Sequence, residues 1–274
     1  MPPPLKRRPA PSGHPLGAIA VLASAPAVLA TGVCALAVWA VAVCALAATP
    51  ARAATGAALR ASFAPDRLGA STVMTLALDF TGGSEGVPEP LHTITLRLPA
   101  GLQVDLRSTS TCAPARLRAG GATGCAPSSL VGRGHARLQV HAGSQTIPEQ
   151  AGLWAYRGPS AGGGAPTLEI LGVGSTPLWE RTLSRGVLRG DGAPFGSSLT
   201  ITVPPIPTLV FEPNASFDSF SLALGALAST PPTHSPALRL TVPRHCPRGG
   251  FRFAVGIGFA DHSSATATAA VPCP

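Results

Sequence analysis

The chain has 274 residues, of which 45% are hydrophobic and only 12% are charged. Its formal net charge is +8, but Lys6, Arg7, Arg8 and Arg52 lie near the amino terminus, and the rest of the chain has 16 arginines against 12 acidic residues. So small a surplus gives no reason to expect nucleic acid as a partner. Because no lysine follows Lys6, Schiff-base chemistry and Ser-x-x-Lys acylation are excluded for the remaining residues.

An uncharged apolar segment, residues 18–48, dominates the amino-terminal part. It is longer than the roughly 20 residues that cross a bilayer, and the basic residues before it favour a cytoplasmic amino terminus. Ala51-x-Ala53 fits the small-residue rule for signal peptidase. Residues 1–53 are therefore either a signal peptide cleaved after Ala53 or a retained transmembrane anchor. Both alternatives predict a chain that is secreted or anchored on the extracellular face of the cytoplasmic membrane.

Four cysteines follow this leader: Cys112, Cys125, Cys246 and Cys273. An even number of cysteines in an exported domain predicts disulfides. Three pairings are possible, and we favour the sequence-local pairs, Cys112–Cys125 and Cys246–Cys273. A zinc site is the alternative, but no second cysteine lies two to four residues from any of them. Each disulfide is expected to stabilise the fold by about 3–4 kcal/mol.

After a predicted tether over residues 54–62, short apolar alternations follow one another, separated by glycine and proline. These period-two patterns predict ten or eleven strands; they cover residues 74–80, 93–98, 136–141, 152–157, 167–173, 186–190, 198–203, 217–224, 238–242, 251–259 and 265–271. Between Cys112 and Cys125 only short helical turns are expected. We predict an all-β domain over residues 63–274, a β-sandwich of jelly-roll or immunoglobulin-like type, preceded by the signal or transmembrane helix.

Motifs that carry known chemistry are absent from the sequence. There is no Gly-x-Ser-x-Gly, His-Glu-x-x-His, EF-hand or phosphate-binding glycine motif. His135 and His141 are predicted on one face of a strand, too far apart to share a metal. Asp261 and His262 are adjacent and predict a turn. We therefore predict no catalytic residue, no metal site and no cofactor.

Two sets of side chains are candidates for binding. Trp154 and Tyr156 lie two residues apart and hence on one strand face, where aromatic rings can stack on sugars, although such residues more often fill a core. Trp179 is a further aromatic candidate. The second set consists of Arg181, Arg185 and Arg189. Their spacing of four predicts a line of positive charge that suits an anionic polymer.

Five short segments share a pattern with a known protein family. They are residues 63–68, 112–117, 124–136, 245–251 and 272–273. These segments resemble a family of uncharacterised secreted or envelope β-rich proteins from high-G+C Gram-positive bacteria. Its members usually have proline directly after the second cysteine, where this chain has Ala126. The resemblance implies export and a β-rich fold, and no established activity comes with it.

Together these observations favour an exported, non-catalytic protein of the cell surface or envelope. We expect a structural or binding module whose partner is an envelope polymer or protein, with membrane contact through residues 18–48 if the leader is retained. One alternative is a module dedicated to carbohydrate or polymer binding. Another is a secreted hydrolase whose histidine and acidic residues meet only in the fold.

Overall fold

The computed structural model describes residues 54–83, 86–175, 179–209, 211–225 and 238–274. The predicted leader, residues 1–53, lies outside these ranges. Over the ranges given, the structure contains no helix with the length and hydrophobicity that crossing a membrane requires.

Antiparallel strands make up most of this part of the chain. The described ranges contain thirteen strands: β1 (Gly56–Ala64), β2 (Ser71–Thr81), β3 (Leu91–Pro99), β4 (Gln103–Asp105), β5 (Leu130–Ala142), β6 (Gln145–Gly158), β7 (Thr167–Gly174), β8 (Arg181–Gly190), β9 (Phe195–Thr202), β10 (Ser216–Gly225), β11 (Arg239–Thr241), β12 (Phe251–Phe259) and β13 (Ser264–Val271). The one α-helix among these residues is α1 (Pro114–Gly120), and three single 3₁₀ turns are also present. The prediction of a β-rich chain is confirmed.

Two of these strands were missed by the sequence interpretation. Most of β1 lies in residues 54–62, which we interpreted as a tether. Only Leu59 and Phe63 of β1 are buried, four residues apart, and alanines fill much of the strand. Its alternation is therefore weak in the sequence, and pairing with β2 supplies the strand geometry. The other missed strand, β4, has only three residues.

All pairings between the described strands are antiparallel, and they join these strands into one sheet. The order across the sheet is β13-β12-β3-β9-β8-β7-β6-β5-β10-β2-β11-β4, with β1 also paired to β2. Since the hydrogen bonding is continuous, the division into two sheets of a sandwich is not confirmed and stays a prediction.

The two sides of this strand order meet across one apolar core. Phe63 of β1 contacts Phe251 and Phe253 of β12, with ring centroids 5.8 Å apart in both pairs. Phe80 of β2 meets Phe259 of β12 at 6.5 Å. Because β2 and β12 are distant in the order, the sheet must curl over to bring these rings together. Burying each such ring stabilises the fold by about 1.5–3 kcal/mol.

Strand directions bring several connections to one end of the sheet. β1 begins at this end, where Gly56 pairs with Thr81, the last residue of β2. Because neighbouring strands are antiparallel, the β5–β6, β7–β8, β9–β10 and β12–β13 connections lie at the same end. We call it the entry end, since the chain enters the sheet there. β13 finishes at the opposite end, where Val271 pairs with Phe251.

Candidate functional site

The outer surface of β8, β9, β3, β12 and β13 carries many small side chains. Its middle row consists of Val187, Thr200, Thr95, Gly256 and Thr266, which are aligned on neighbouring strands. The residues between them in sequence, such as Leu199 and Val255, point into the core. The hydroxyls of Thr95 and Thr200 lie 3.4 Å apart. No atom lies within 4 Å of the position that a Cβ on Gly256 would occupy, so this point of the surface is open.

Two further rows continue this surface on either side. One row consists of Arg185, Thr202, Thr93, Gly258 and Ser264. The other consists of Arg189, Ser198, Arg97, Ala254 and Thr268. Neighbouring strands are about 4.8 Å apart, and residues of one face recur about every 7 Å along a strand. Serine and threonine hydroxyls are therefore presented at regular intervals.

Positive charge is in excess on this surface, which we call the arginine–hydroxyl face. Its exposed arginines are Arg97, Arg185, Arg189 and Arg252. Asp191 lies 3.4 Å from the Nε of Arg97 (Oδ2 to Nε) and offsets part of this charge. Glu169 forms an ion pair with Arg185 at 3.6 Å, but it is only 2% exposed. Arg181, Arg185 and Arg189, spaced by four on β8, lie on one face as the sequence predicted. Arg181 lies outside the part of β8 that pairs with β9.

A small disulfide-linked module covers the neighbouring strands on the same side of the sheet. Cys112 and Cys125 are joined, and Leu117 of α1 is fully buried against Cys112 and Tyr156. The phenol of Tyr156 donates a hydrogen bond of 2.7 Å to the carbonyl of Ala122 in this module. The module borders the arginine–hydroxyl face. Glu169 lies on β7, which the module covers, and its neighbour on the adjacent strand is Arg185, which belongs to the face.

Trp154 and Tyr156, the predicted stacking pair, pack largely against the disulfide-linked module. Tyr156 is 2% exposed, so its ring is not free to stack on a ligand. Trp154 is partly buried in the same cluster. Its ring lies over Gly152, where an added Cβ would come within 2.5 Å of it. Trp179 is instead 67% exposed, and the guanidinium of Arg181 stacks on its ring at 4.5 Å.

Both predicted disulfides are formed, in the predicted pairing. Cys112–Cys125 closes a sequence separation of 13 residues, and Cys246–Cys273 closes one of 27. The second disulfide joins the end that follows β13 to the segment that precedes β12. In the part of the chain described here, no three His, Cys, Asp or Glu residues are close enough together to hold a metal ion.

The adjacent residues Asp261 and His262 lie in the β12–β13 turn, as predicted. The Oδ1 atom of Asp261 accepts hydrogen bonds from the amide and hydroxyl of Ser263, at 2.9 and 2.6 Å. His262 has a φ of 67°, a backbone conformation that is uncommon outside glycine. These contacts organise a turn. The hydrolase alternative gains no supporting contact from them and stays an untested prediction.

Glu169 is the buried carboxyl group at the border between the module and the arginine–hydroxyl face. Burial raises the pKa of Glu169, and the positive charges of Arg185 and Arg118 lower it by a smaller amount. Its Oε1 atom has no hydrogen-bond partner. Charging this side chain therefore costs free energy in the folded protein that it does not cost in the unfolded chain.

We expect Glu169→Gln to change the pH dependence of stability. A folded-state pKa above the unfolded value means that the folded protein binds the proton more tightly. Stability from this group is then highest below the unfolded pKa and declines as the pH rises through the raised folded pKa. Urea unfolding between pH 4 and pH 8 should show the wild type losing stability relative to Glu169→Gln as the pH increases.

Arg185→Gln provides the internal control for this expectation. Because Arg185 lowers the pKa of Glu169, replacing Arg185 should raise that pKa further. The loss of stability with rising pH should then extend to a higher pH than in the wild type. If the free energies of unfolding of the wild type and Glu169→Gln changed in parallel with pH, Glu169 would not have a raised pKa in the folded protein.

The hydroxyl rows are the feature that sequence reasoning missed. Within each strand the alternating hydroxyls can be seen in the sequence, as with Thr93 and Thr95 or Thr266 and Thr268. The sequence does not show the register between strands, which places the hydroxyls of one strand beside those of the next. Comparisons with protein-family models, curated proteins and solved structures give no match, so the case for a function rests on this surface.

Proposed function

We propose that the chain is an exported, non-catalytic binding module of the cell surface or envelope, whose arginine–hydroxyl face binds an anionic, hydroxyl-rich polymer. The observation that carries this proposal is the set of four exposed arginines around ordered rows of threonine and serine on an uncovered sheet. Guanidinium groups match carboxylate and phosphate oxygens in a two-point geometry. Hydroxyls both donate and accept hydrogen bonds, as the hydroxyls of a sugar polymer require.

The small side chains at the centre of the face suit an extended polymer. Gly256 has no atom within 4 Å of its Cβ position and Ala254 beside it is small, so a chain that crosses the strands can approach the backbone closely there. The disulfide-linked module borders the face on its β8 side. A polymer lying on the face would therefore meet Arg185 and Arg189 at this border.

Two observations support a location outside the cytoplasm. Disulfides persist in oxidising spaces, and this chain contains Cys112–Cys125 and Cys246–Cys273. The sequence of residues 18–48 supplies an export or anchoring segment. We propose a secreted protein, or one anchored on the outer face of the cytoplasmic membrane, with the curled sheet packed as a sandwich. Membership of the secreted family that the sequence resembles is part of this proposal.

We expect the double variant Arg185→Gln, Arg189→Gln to bind polygalacturonate at least tenfold more weakly than the wild type. A tenfold loss corresponds to about 1.4 kcal/mol, a modest value for two charge-assisted contacts. Isothermal titration at 50 and 150 mM salt measures this, and the wild-type affinity should fall as salt rises. Polyphosphate serves as a second anionic probe, and dextran as the neutral one.

A matched pair of arginines away from this face is the control. Arg137 on β5 and Arg239 on β11 are both exposed, and replacing them by glutamine changes the net charge equally. This pair should leave the affinity nearly unchanged. Equal losses in the two double variants would mean that net charge alone drives binding, and absence of wild-type binding to either polyanion would contradict the proposed function.

Carbohydrate binding through ring stacking is the second candidate. It is favoured by the exposure of Trp179 and by its cation–π contact with Arg181, which holds the ring at the entry end. Binding of dextran or another neutral polysaccharide, lost in Trp179→Ala and kept in the Arg185 and Arg189 double variant, would select this candidate over the first.

A further inference from the structure

Apolar side chains are exposed at the entry end, apart from the arginine–hydroxyl face. Phe211 is fully exposed and Leu209 is 47% exposed, both in the connection 203–215 between β9 and β10. Ile147, near the β5–β6 turn, is also exposed, as is Trp179 between β7 and β8. Val210, between Leu209 and Phe211, lies outside the described residues. We call the three exposed side chains Leu209, Phe211 and Ile147 the apolar tip.

Hydrogen bonds fix the connection that carries this tip. The amide of Ala215 donates to the carbonyl of Ile206 at 2.9 Å, which closes the base of the loop. Within it, the Thr208 hydroxyl donates to the carbonyl of Pro213 at 2.7 Å. These two hydrogen bonds join the described residues on either side of position 210.

A further contact ties the loop to the neighbouring β5–β6 turn. The amide of Gly143 donates to the Oε1 atom of Glu212 at 2.9 Å. Phe211 itself has a φ of 69°, which is uncommon for a bulky residue. Such backbone strain tends to occur at binding sites. The exposed ring therefore belongs to a connection whose described residues are hydrogen-bonded to each other and to the β5–β6 turn.

We propose that the apolar tip inserts into the interface of the lipid bilayer to which the amino-terminal segment belongs. β1 begins at the entry end, and only residues 49–55 separate Gly56 from the apolar segment 18–48. Seven residues span about 25 Å at most. If residues 18–48 are retained as an anchor, the entry end is kept this close to the membrane, within reach of the bilayer.

The chemistry of the tip fits a lipid surface. Phenylalanine, leucine and isoleucine partition into the acyl boundary, and tryptophan such as Trp179 is enriched at membrane interfaces. No basic residue lies between Leu209 and Glu212, so neutral lipid is the expected occupant. The inference rests on the anchored form of the proposed localisation and is independent of polymer binding.

Fluorescence of single-tryptophan chains tests the insertion. In the full chain carrying Trp39→Phe, Trp154→Phe and Trp179→Phe, an indole is introduced by Phe211→Trp and the protein is reconstituted in phosphatidylcholine vesicles. We expect brominated acyl chains to reduce its emission at least twofold relative to plain lipid. Leu68→Trp is the matched control, because Leu68 is 43% exposed in the β1–β2 loop at the opposite end. Its emission should not change.

Retention of the leader is measured separately, by carbonate extraction of membranes from the expressing cells. Extraction-resistant protein with equal emission in both lipids at position 211 would overturn the insertion. Protein found only in the medium would overturn the anchored form on which the inference rests, whatever the polymer affinity. If Trp154→Phe impairs folding, the comparison of Phe211→Trp with Leu68→Trp is made with Trp154 retained, since its contribution is common to both.

Discussion

Replacing Cys246 and Cys273 together by serine is expected to lower the free energy of unfolding by about 3.5 kcal/mol. The disulfide closes a separation of 27 residues, and the chain-entropy relation gives this value for a loop of that length. β13 hydrogen-bonds only to β12 among the described strands, so the disulfide also secures an edge of the sheet. Chemical denaturation under non-reducing conditions measures the change, with hydrogen exchange locating it in β13.

The comparison variant replaces Cys112 and Cys125 by serine. Its loop of 13 residues predicts about 3 kcal/mol from chain entropy, to which the loss of a buried sulfur of Cys112 adds. Removal of both disulfides should therefore cost about 6.5 kcal/mol, a large part of the roughly 5–15 kcal/mol of stability that is typical of folded domains. An unchanged unfolding midpoint in the Cys246 and Cys273 variant would contradict the predicted contribution.

Phe253→Ala is expected to cost about 3–5 kcal/mol, the second large effect. Phe253 is fully buried and contacts Phe63, so its ring joins strand β12 to strand β1 across the core. Truncation removes the transfer free energy of the ring and leaves a cavity at the place where the sheet closes upon itself. Urea unfolding at neutral pH gives the difference directly.

Phe211→Ala is the matched control, because the same side chain is removed from a fully exposed position. Loss of an exposed ring usually changes stability by less than about 0.5 kcal/mol. A similar cost for the two phenylalanines would mean that the ring of Phe253 does not hold the curled sheet together.

Strand positions could be predicted from the sequence wherever one face is strongly apolar. Phe251 to Phe259 alternates large apolar residues with small ones, and the observed β12 has these bounds. In β1 the alternation is weak because only Leu59 and Phe63 are buried. The extended conformation of β1 comes from its pairing with β2, and the local sequence pattern does not show that pairing.

The candidate site could be predicted only in part. The spacing of Arg185 and Arg189 follows from strand geometry, so their common face was accessible to sequence reasoning. The closeness of the Thr95 and Thr200 hydroxyls could not be predicted, since 105 residues separate them in the sequence. Tyr156 was ambiguous in the sequence, because a ring on a strand face packs or binds depending on what covers that face. The module around Cys112 covers it.

The opposite placement of the first and last strand termini has a practical consequence. Gly56 marks one end of the sheet, and Val271 marks the other, with a strand of eight residues, roughly 27 Å, between them. A reporter or epitope fused after Pro274 would thus be displayed at the end of the sheet opposite to the one where β1 begins. The Cys246–Cys273 disulfide would tie this point of attachment covalently to the segment before β12.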